Sequence, residues 1–285
     1  MRDAALQGLA VGFFDGVHLG HQAILKGASA ALTFRNHPLT VLAPEKAPRL
    51  IMSVEERVAA IKTCGIKDVM VLDFTQELAV MTAEEFAREY LLATKGRKGA
   101  QRIRCGENWR FGRGGEGNAE WLRAKGIEVM VAAYVEYKGE RVSSSRIRRC
   151  LENGEIEDAN AMMGRRFQVS GSRFQGKGLG GRIGYPTINL QLSTSTSSLH
   201  LPLGVYEVEV EGQKAIANYG FAPTMGDEAW RSPTMEIHYL HCPPPPLFST
   251  SVKVELVKYI RAERKFDSVQ DLQRQIAADC ATITT

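Results

Sequence analysis

Two histidines stand three residues apart in the run Val11-Gly-Phe-Phe-Asp-Gly-Val-His-Leu-Gly-His-Gln22, with Gly20 between them. The run reads as an apolar strand passing through two glycines into a helix that begins near His18. Side chains three apart share a helix face, so the imidazoles of His18 and His21 can project together from the first turn, Gly20 leaving room between them. Unpaired N–H groups and the positive end of the helix dipole gather at such a start. Gly12 and Gly16 let the backbone approach a phosphate closely. Two imidazoles there suit an α-phosphate on which charge develops as pyrophosphate leaves. One histidine alone would read as a cap or a surface residue; the pair behind Phe14-Asp15-Gly16 does not.

A second cluster is Gly176-Lys-Gly-Leu-Gly-Gly-Arg-Ile-Gly-Tyr-Pro-Thr-Ile-Asn189. A loop this rich in glycine can wrap its N–H groups around phosphates, and the Pro186-Thr187 turn then presents a hydroxyl and an amide. Glycines by themselves would mean an ordinary loop. A third cluster places Arg146, Arg148 and Arg149 near a helix start, where cations oppose the dipole and point to an anion nearby.

The elements that must position these groups fall into two textures. Across the first 150 or so residues, β-rich runs at 69–74 and 128–134, with a third at 101–105, alternate with helical patterns and predict buried parallel strands joined by crossover helices. Ser53 with Glu56 forms a capping box opening a helix over 54–64 that Gly65 closes, and Thr82 with Glu85 opens another ending near Gly96. A further helix is predicted from Ser145 to about Gly164. Beyond it, Gly-, Pro- and Ser-rich turns separate period-2 strands at 204–210 and 251–257, the texture of a small antiparallel β-barrel. Ser268 caps a closing helix that ends near Ala278.

The 285 residues and their 44% hydrophobic, 24% charged composition allow about two globular domains and exclude fibrous and disordered readings. The division falls near residues 160–166, giving domains 1–160 and 161–285. No apolar run approaches the ~20 residues of a membrane span, and the start of the chain carries no secretory pattern, so a cytoplasmic location without a membrane partner is expected. A net charge of +4 without a basic stripe argues for small anions and against nucleic acid. The residues set no oligomeric state. Cys64, Cys105, Cys150, Cys242 and Cys280 lack a C-x-x-C pair and read as reduced thiols.

The opening motif, Thr33-Phe-Arg-Asn-His-Pro38, Gly106-Glu-Asn-Trp-Arg-Phe-Gly112 and Arg141-Val-Ser-Ser-Ser-Arg-Ile-Arg148, in that order, resemble the HxGH nucleotidyltransferases. Within them they resemble the prokaryotic bifunctional riboflavin kinase/FMN adenylyltransferase family, the FAD synthetases. The resemblance covers nearly the whole chain. It implies a Rossmann-like α/β domain, a riboflavin kinase barrel with a C-terminal helix, and two reactions: ATP phosphorylates riboflavin to FMN, and FMN with ATP gives FAD and pyrophosphate, with Mg²⁺ bridging the phosphates. By the resemblance Gly12, Phe13, Asp15, His18 and His21 hold ATP, the two histidines facing the α-phosphate. Arg141, Ser144, Ser145 and Arg148 bind the β- and γ-phosphates, and His37 and Asn108 face the flavin or adenosine. In the second half the signature G-R-x-x-G-x-P-T-x-N makes Gly176, Gly178, Gly181, Arg182, Pro186 and Asn189 the ATP site and Thr187 the Mg²⁺ ligand. Glu236 becomes the general base and Arg261 lies near the flavin.

The chain departs from the family at Asn108 for Asp, Trp109 for Phe and Ser145 for Thr, changes expected to alter affinity rather than abolish activity. The connection from His21 to Thr33 is short. After His238 the stretch Tyr239-Leu-His-Cys-Pro-Pro-Pro-Pro-Leu-Phe248 replaces the family's pattern. His238, His241 and Cys242 alternate along a strand without a fourth partner and do not read as a metal site. Two alternatives stay open on these residues: an adenylyltransferase whose kinase half has degenerated, which would turn FMN into FAD and leave riboflavin untouched, and a non-catalytic flavin-binding protein.

Overall fold

The computed structural model describes residues 8–92, 102–175, 179–193, 201–221, 233–240 and 251–283. They form two compact units, Met1–Ser144 and Ser145–Thr285.

In the first unit β1 (Leu9–Val11), β2 (Ala30–Phe34), β3 (Asp68–Leu72), β4 (Arg102–Gly106) and β5 (Glu128–Ala132) make a parallel sheet in the order β3-β2-β1-β4-β5. Alternation along the central strands sends Leu9, Val11, Leu32, Ile103 and Cys105 to one face, where Phe86, Phe111 and Leu122 cover them. Ala10 and Ala31 point to the other face. Their small side chains let α1 (Leu19–Leu25) and α3 (Val54–Thr63) lie close, with Phe14, Leu25 and Ile61 filling the gap. Between these helices runs the short α2 (Leu39–Leu42).

Sequence expectation and structure differ at several elements. The runs at 69–74 and 128–134, expected as buried strands, are the two edges of the sheet, and Met130 is 45% exposed. An apolar run encodes a strand but not its rank in the sheet. The third run, at 101–105, is instead β4, an inner neighbour of β1. The expected 54–64 helix stands with its capping box intact: Ser53 Oγ accepts from Glu56 N–H, and Glu56 accepts from Ser53 N–H at 2.8 Å. Thr82 and Glu85 form the second box, but after α4 (Gln76–Val80) the helix α5 (Ala83–Phe86) continues as a π-helical turn over Ala87–Leu92. Its expected end at Gly96 lies outside the described residues. The short His21–Thr33 connection is closed by the seven residues of α1 and a turn at Gly27, φ +78°. After α6 (Ala119–Ala124) and the hairpin β6 (Glu136–Tyr137) and β7 (Glu140–Arg141), the single helix expected from Ser145 to Gly164 is two, α7 (Ser144–Glu152) and α8 (Ile156–Met163). Gly154 at φ +77° breaks it, because only glycine takes that conformation without strain.

The second unit is a closed barrel of β8 (Phe167–Phe174), β9 (Ile188–Leu192), β10 (Gly204–Val210), β11 (Gln213–Gly220), β12 (Thr234–Tyr239) and β13 (Ser251–Ala262), with the helical turn α9 (Leu179–Arg182) before β9. The strand expected over 251–257 runs on to Ala262, and the closing helix α10 (Val269–Ala281) outlasts its expected end. α8 is tied to the barrel: Asn160 Nδ2 donates to Leu256 O (2.8 Å) and Asn160 Oδ1 accepts from Phe167 N–H (2.7 Å). No described helix is long and apolar enough to cross a membrane. Four described cysteines are free thiols, and burial pushes Cys105 and Cys150 up to about 11; Cys242 lies outside the described residues.

Candidate active sites

Three of the four motifs of the first unit leave the carboxyl ends of its parallel strands: residues 12–22 follow β1, 35–38 follow β2, and 107–112 follow β4. Since β2 and β4 flank β1 on opposite sides, the crevice lies where the strand order reverses, the usual ligand position in an open α/β sheet.

The turn after β1 is strained and heavily tied. Phe14 has φ +60° and Val17 φ +38°, beside Gly16 at +83°. Left-handed non-glycine residues cost about 1–3 kcal/mol each, and a β-branched valine is among the rarest there. The restraints come from every side. Gly12 N–H donates to Leu32 O (3.2 Å), Thr33 Oγ1 to Phe13 O (2.8 Å), Gln22 Nε2 to Val17 O (3.0 Å) and Ser144 Oγ to Asp15 O (2.8 Å). Asp15 is 2% exposed and both its carboxylate oxygens accept from Ile51 N–H, at 3.0 and 3.1 Å. Its side chain therefore ties the loop to residue 51. Gly12 is required because a Cβ would meet the Phe14 ring at 2.9 Å.

His18 is the N-cap of α1 and its Nδ1 accepts from His21 N–H (3.3 Å). An accepting Nδ1 leaves the ring proton on Nε2, so the cap selects one tautomer. The two imidazoles do project together, stacked at 3.6 Å between centroids and 18° between planes, and His21 meets Phe14 edge-on at 5.4 Å. Gly20 does not sit between them as a spacer. It clears the His18 ring, whose Cε1 and Nδ1 would lie 3.2 Å from a Cβ at position 20.

The other residues expected to bind the nucleotide or flavin differ in exposure and contacts. Ser144 starts α7, and Arg148, four residues on, shares its face. Ser145 is exposed, and the exposed Arg141 lies 5.2 Å over the Tyr134 ring. His37 Nδ1 accepts from Leu39 N–H (3.1 Å), and its ring meets Phe13 edge-on at 4.8 Å. Asn108 is exposed, next to Trp109, which stacks on Phe111 at 4.7 Å.

In the barrel, Met235, Ile237 and Tyr239 point into the core and Glu236 and His238 to the outer face. Glu236 is not an ordinary outward carboxylate: it pairs across β9 with Asn189 and across β11 with Asn218. Burial raises its pKa, and the negative charge of Glu263 raises it further. Glu263 accepts from Asn218 Nδ2 (3.1 Å) and packs so tightly on Gly220 that any side chain there would displace it. Gly180 in α9 meets Thr187, whose Oγ1 would lie 3.2 Å from a Cβ, and Tyr185 N–H donates to Gly180 O (2.8 Å). Pro186 O accepts from His238 Nδ1 (2.9 Å). Helix α10 braces this loop through Gln273 Nε2 on Ile183 O (3.0 Å). Gly181 and Arg182 are exposed; Gly176 and Gly178 lie outside the described residues, as do His241 and Cys242. Arg261 engages Asp279 with both arms of its fork, Nε at 3.0 Å from each oxygen and Nη2 at 2.6 Å, which joins β13 to α10. Asn218 and Glu263 are not among the expected site residues, because only strand pairing and packing bring them to Glu236.

Residues 3–146 match the FAD synthetase family and residues 163–285 the riboflavin kinase family. The bifunctional riboflavin kinase/FMN adenylyltransferase of Bacillus subtilis is 31% identical, covering 95% of this chain and 89% of its own length. That of Escherichia coli strain K12 is 32% identical over 95% and 90%. A crystal structure from Streptococcus pneumoniae, titled as a macrolide-efflux protein, superposes with a TM-score of 0.83 at 30% identity, covering 96% of this chain and 92% of that one. Both halves match in order, over 95% of the chain, so the chain belongs to the bifunctional riboflavin kinase/FMN adenylyltransferase family.

Proposed function

We propose that this chain performs both steps of flavin cofactor assembly: riboflavin and ATP give FMN in the barrel, and FMN and ATP give FAD and pyrophosphate in the α/β unit. The observation that carries both activities, rather than the second alone, is the unbroken register that sets Glu236 between Asn189 and Asn218.

In the adenylyltransferase reading, a phosphate oxygen of FMN attacks the α-phosphorus of ATP and the bond to the β-phosphate breaks. Nε2–H of His18 and the His21 ring stacked on it would hold the charge that develops there. Gly12, Phe13 and Asp15 shape the nucleotide turn. Arg141, Ser144, Ser145 and Arg148 take the departing phosphates, to which guanidinium forks and hydroxyls are suited. His37 and Asn108 serve the flavin or adenosine side.

In the kinase reading, the riboflavin 5′-hydroxyl attacks the γ-phosphorus and Glu236 accepts its proton, a role that a raised pKa favours. Gly176, Gly178, Gly181, Arg182, Pro186 and Asn189 surround the ATP. Arg261, held by Asp279, supports the flavin end from β13. Thr187, whose hydroxyl lies close against Gly180, would offer Mg²⁺ a hard oxygen. Mg²⁺ bound with ATP would neutralise phosphate charge. This reading puts functional domains at 1–160 and 161–285 in a cytoplasmic enzyme whose partners are these small molecules.

Purified protein given riboflavin and Mg-ATP, with flavins separated by chromatography, tests the reading. FMN followed by FAD is expected. FAD from added FMN with riboflavin untouched would reduce the protein to its adenylyltransferase half, and tight binding without turnover would leave a flavin carrier.

A further inference from the structure

Arg57, on α3, is fully buried. A buried guanidinium is costly unless something compensates its charge and its five N–H donors. Here only Nη2 is used for hydrogen bonds, donating to Phe34 O (2.5 Å) and Arg35 O (3.2 Å) where β2 ends. Nε and Nη1 are buried without a hydrogen-bond partner among the described residues. Burial pushes its pKa down, and the negative charges of Asp15 and Glu55 oppose that shift, while the guanidinium lies 4.2 Å over the Phe13 ring. The far side of this contact also matters, since Phe13 meets the His37 ring edge-on at 4.8 Å. His37 lies two residues beyond the second of the carbonyls that Nη2 grips.

One cation thus touches the turn that carries Phe13 and Asp15 and the strand exit that carries His37. Arg261, by contrast, takes a carboxylate fork on Asp279, whereas the hydrogen bonds of Arg57 go only to carbonyls and its face lies on Phe13.

We infer that Arg57 is a positioning residue of the adenylyl-transfer site, setting the orientation of Phe13 and His37 from beneath and so the affinity of that site for its nucleotide. The inference rests on reading the first unit as the adenylyltransferase. Arg57→Met keeps the buried stem and removes the charge. Arg57→Lys keeps a cation over Phe13 and cannot grip both carbonyls.

The test measures FAD formation at saturating FMN over a range of ATP, with riboflavin phosphorylation followed in the same full-length preparations. A desolvated cation–π contact is worth about a tenfold effect or more, so Arg57→Met should raise KM for ATP about tenfold with kcat changed far less. Arg57→Lys should fall between it and the wild type. Riboflavin phosphorylation should be unchanged in both. A purely structural role would lower the active fraction and hence kcat, leaving KM alone. An unchanged KM in Arg57→Met overturns the inference, whatever happens to kcat. If that variant does not fold, the KM of Arg57→Lys decides by the same criterion. A wild type that makes no FAD overturns the reading of the unit itself, a separate result.

Discussion

At the scale of single residues, the chemistry of both sites is set by what touches one titratable side chain. Glu236 is raised first by burial and then by Glu263. As a base it must be ionised, so FMN formation should fall as the pH drops through a pKa above the ordinary carboxylate range. Glu263→Gln removes the like charge and leaves the burial. The acidic limb of kcat/KM for riboflavin should therefore move to lower pH without reaching that of a free carboxylate. A limb that stays in place would show Glu263 to be electrically irrelevant to Glu236. His18 makes the same point through a tautomer, because its accepting Nδ1 leaves the ring proton on Nε2. Gly20→Ala brings a Cβ within 3.2 Å of that ring, which is 6% exposed and has little room to yield. Misplaced catalytic groups cost rate steeply, so FAD formation should drop roughly tenfold to a hundredfold while FMN formation holds. The rates of the two steps in one preparation check it.

At the scale of elements, each candidate group depends on how a strand or helix ends. The two capping boxes were legible in the sequence because Ser53 with Glu56, and Thr82 with Glu85, are local patterns that need no distant partner. Ser53→Ala should cost about 1 kcal/mol of stability by thermal or denaturant unfolding. As a structural change it should leave the KM for ATP unchanged, in contrast to Arg57→Met. The strained turn from Phe14 to Val17 was legible only as two glycines and a pair of histidines. The turn with its left-handed valine is held from three segments far apart in the chain, β2 at Leu32 and Thr33, Ile51, and Ser144.

For the whole molecule, two units with separate sites predict a clean division of labour. His21→Ala should abolish most FAD formation and spare FMN formation, and Glu236→Ala should do the reverse, by the same chromatographic separation of flavins. A variant that loses both equally would overturn the division. The barrel strands at 204–210 and 251–257 were foreseen from their period-2 alternation and the parallel sheet from its alternation with helices. The break at Gly154 was not, although Asn153-Gly154 is itself a turn signal, because helical patterns stand on both sides of it.

What the sequence determined by itself is local. Spacing of three placed His18 and His21 on one helical turn, glycines marked where the backbone must come close, and the alternation of Met235, Glu236 and Ile237 separated core from outer face. What only the tertiary structure decided is which distant groups meet: Arg57 beneath Phe13, Glu263 beside Glu236, the runs at 69–74 and 128–134 at the sheet edges. Periodicity reports neighbours within a few residues along the chain. Burial, charge and register at a site come from segments that packing brings together, and no local pattern carries that information.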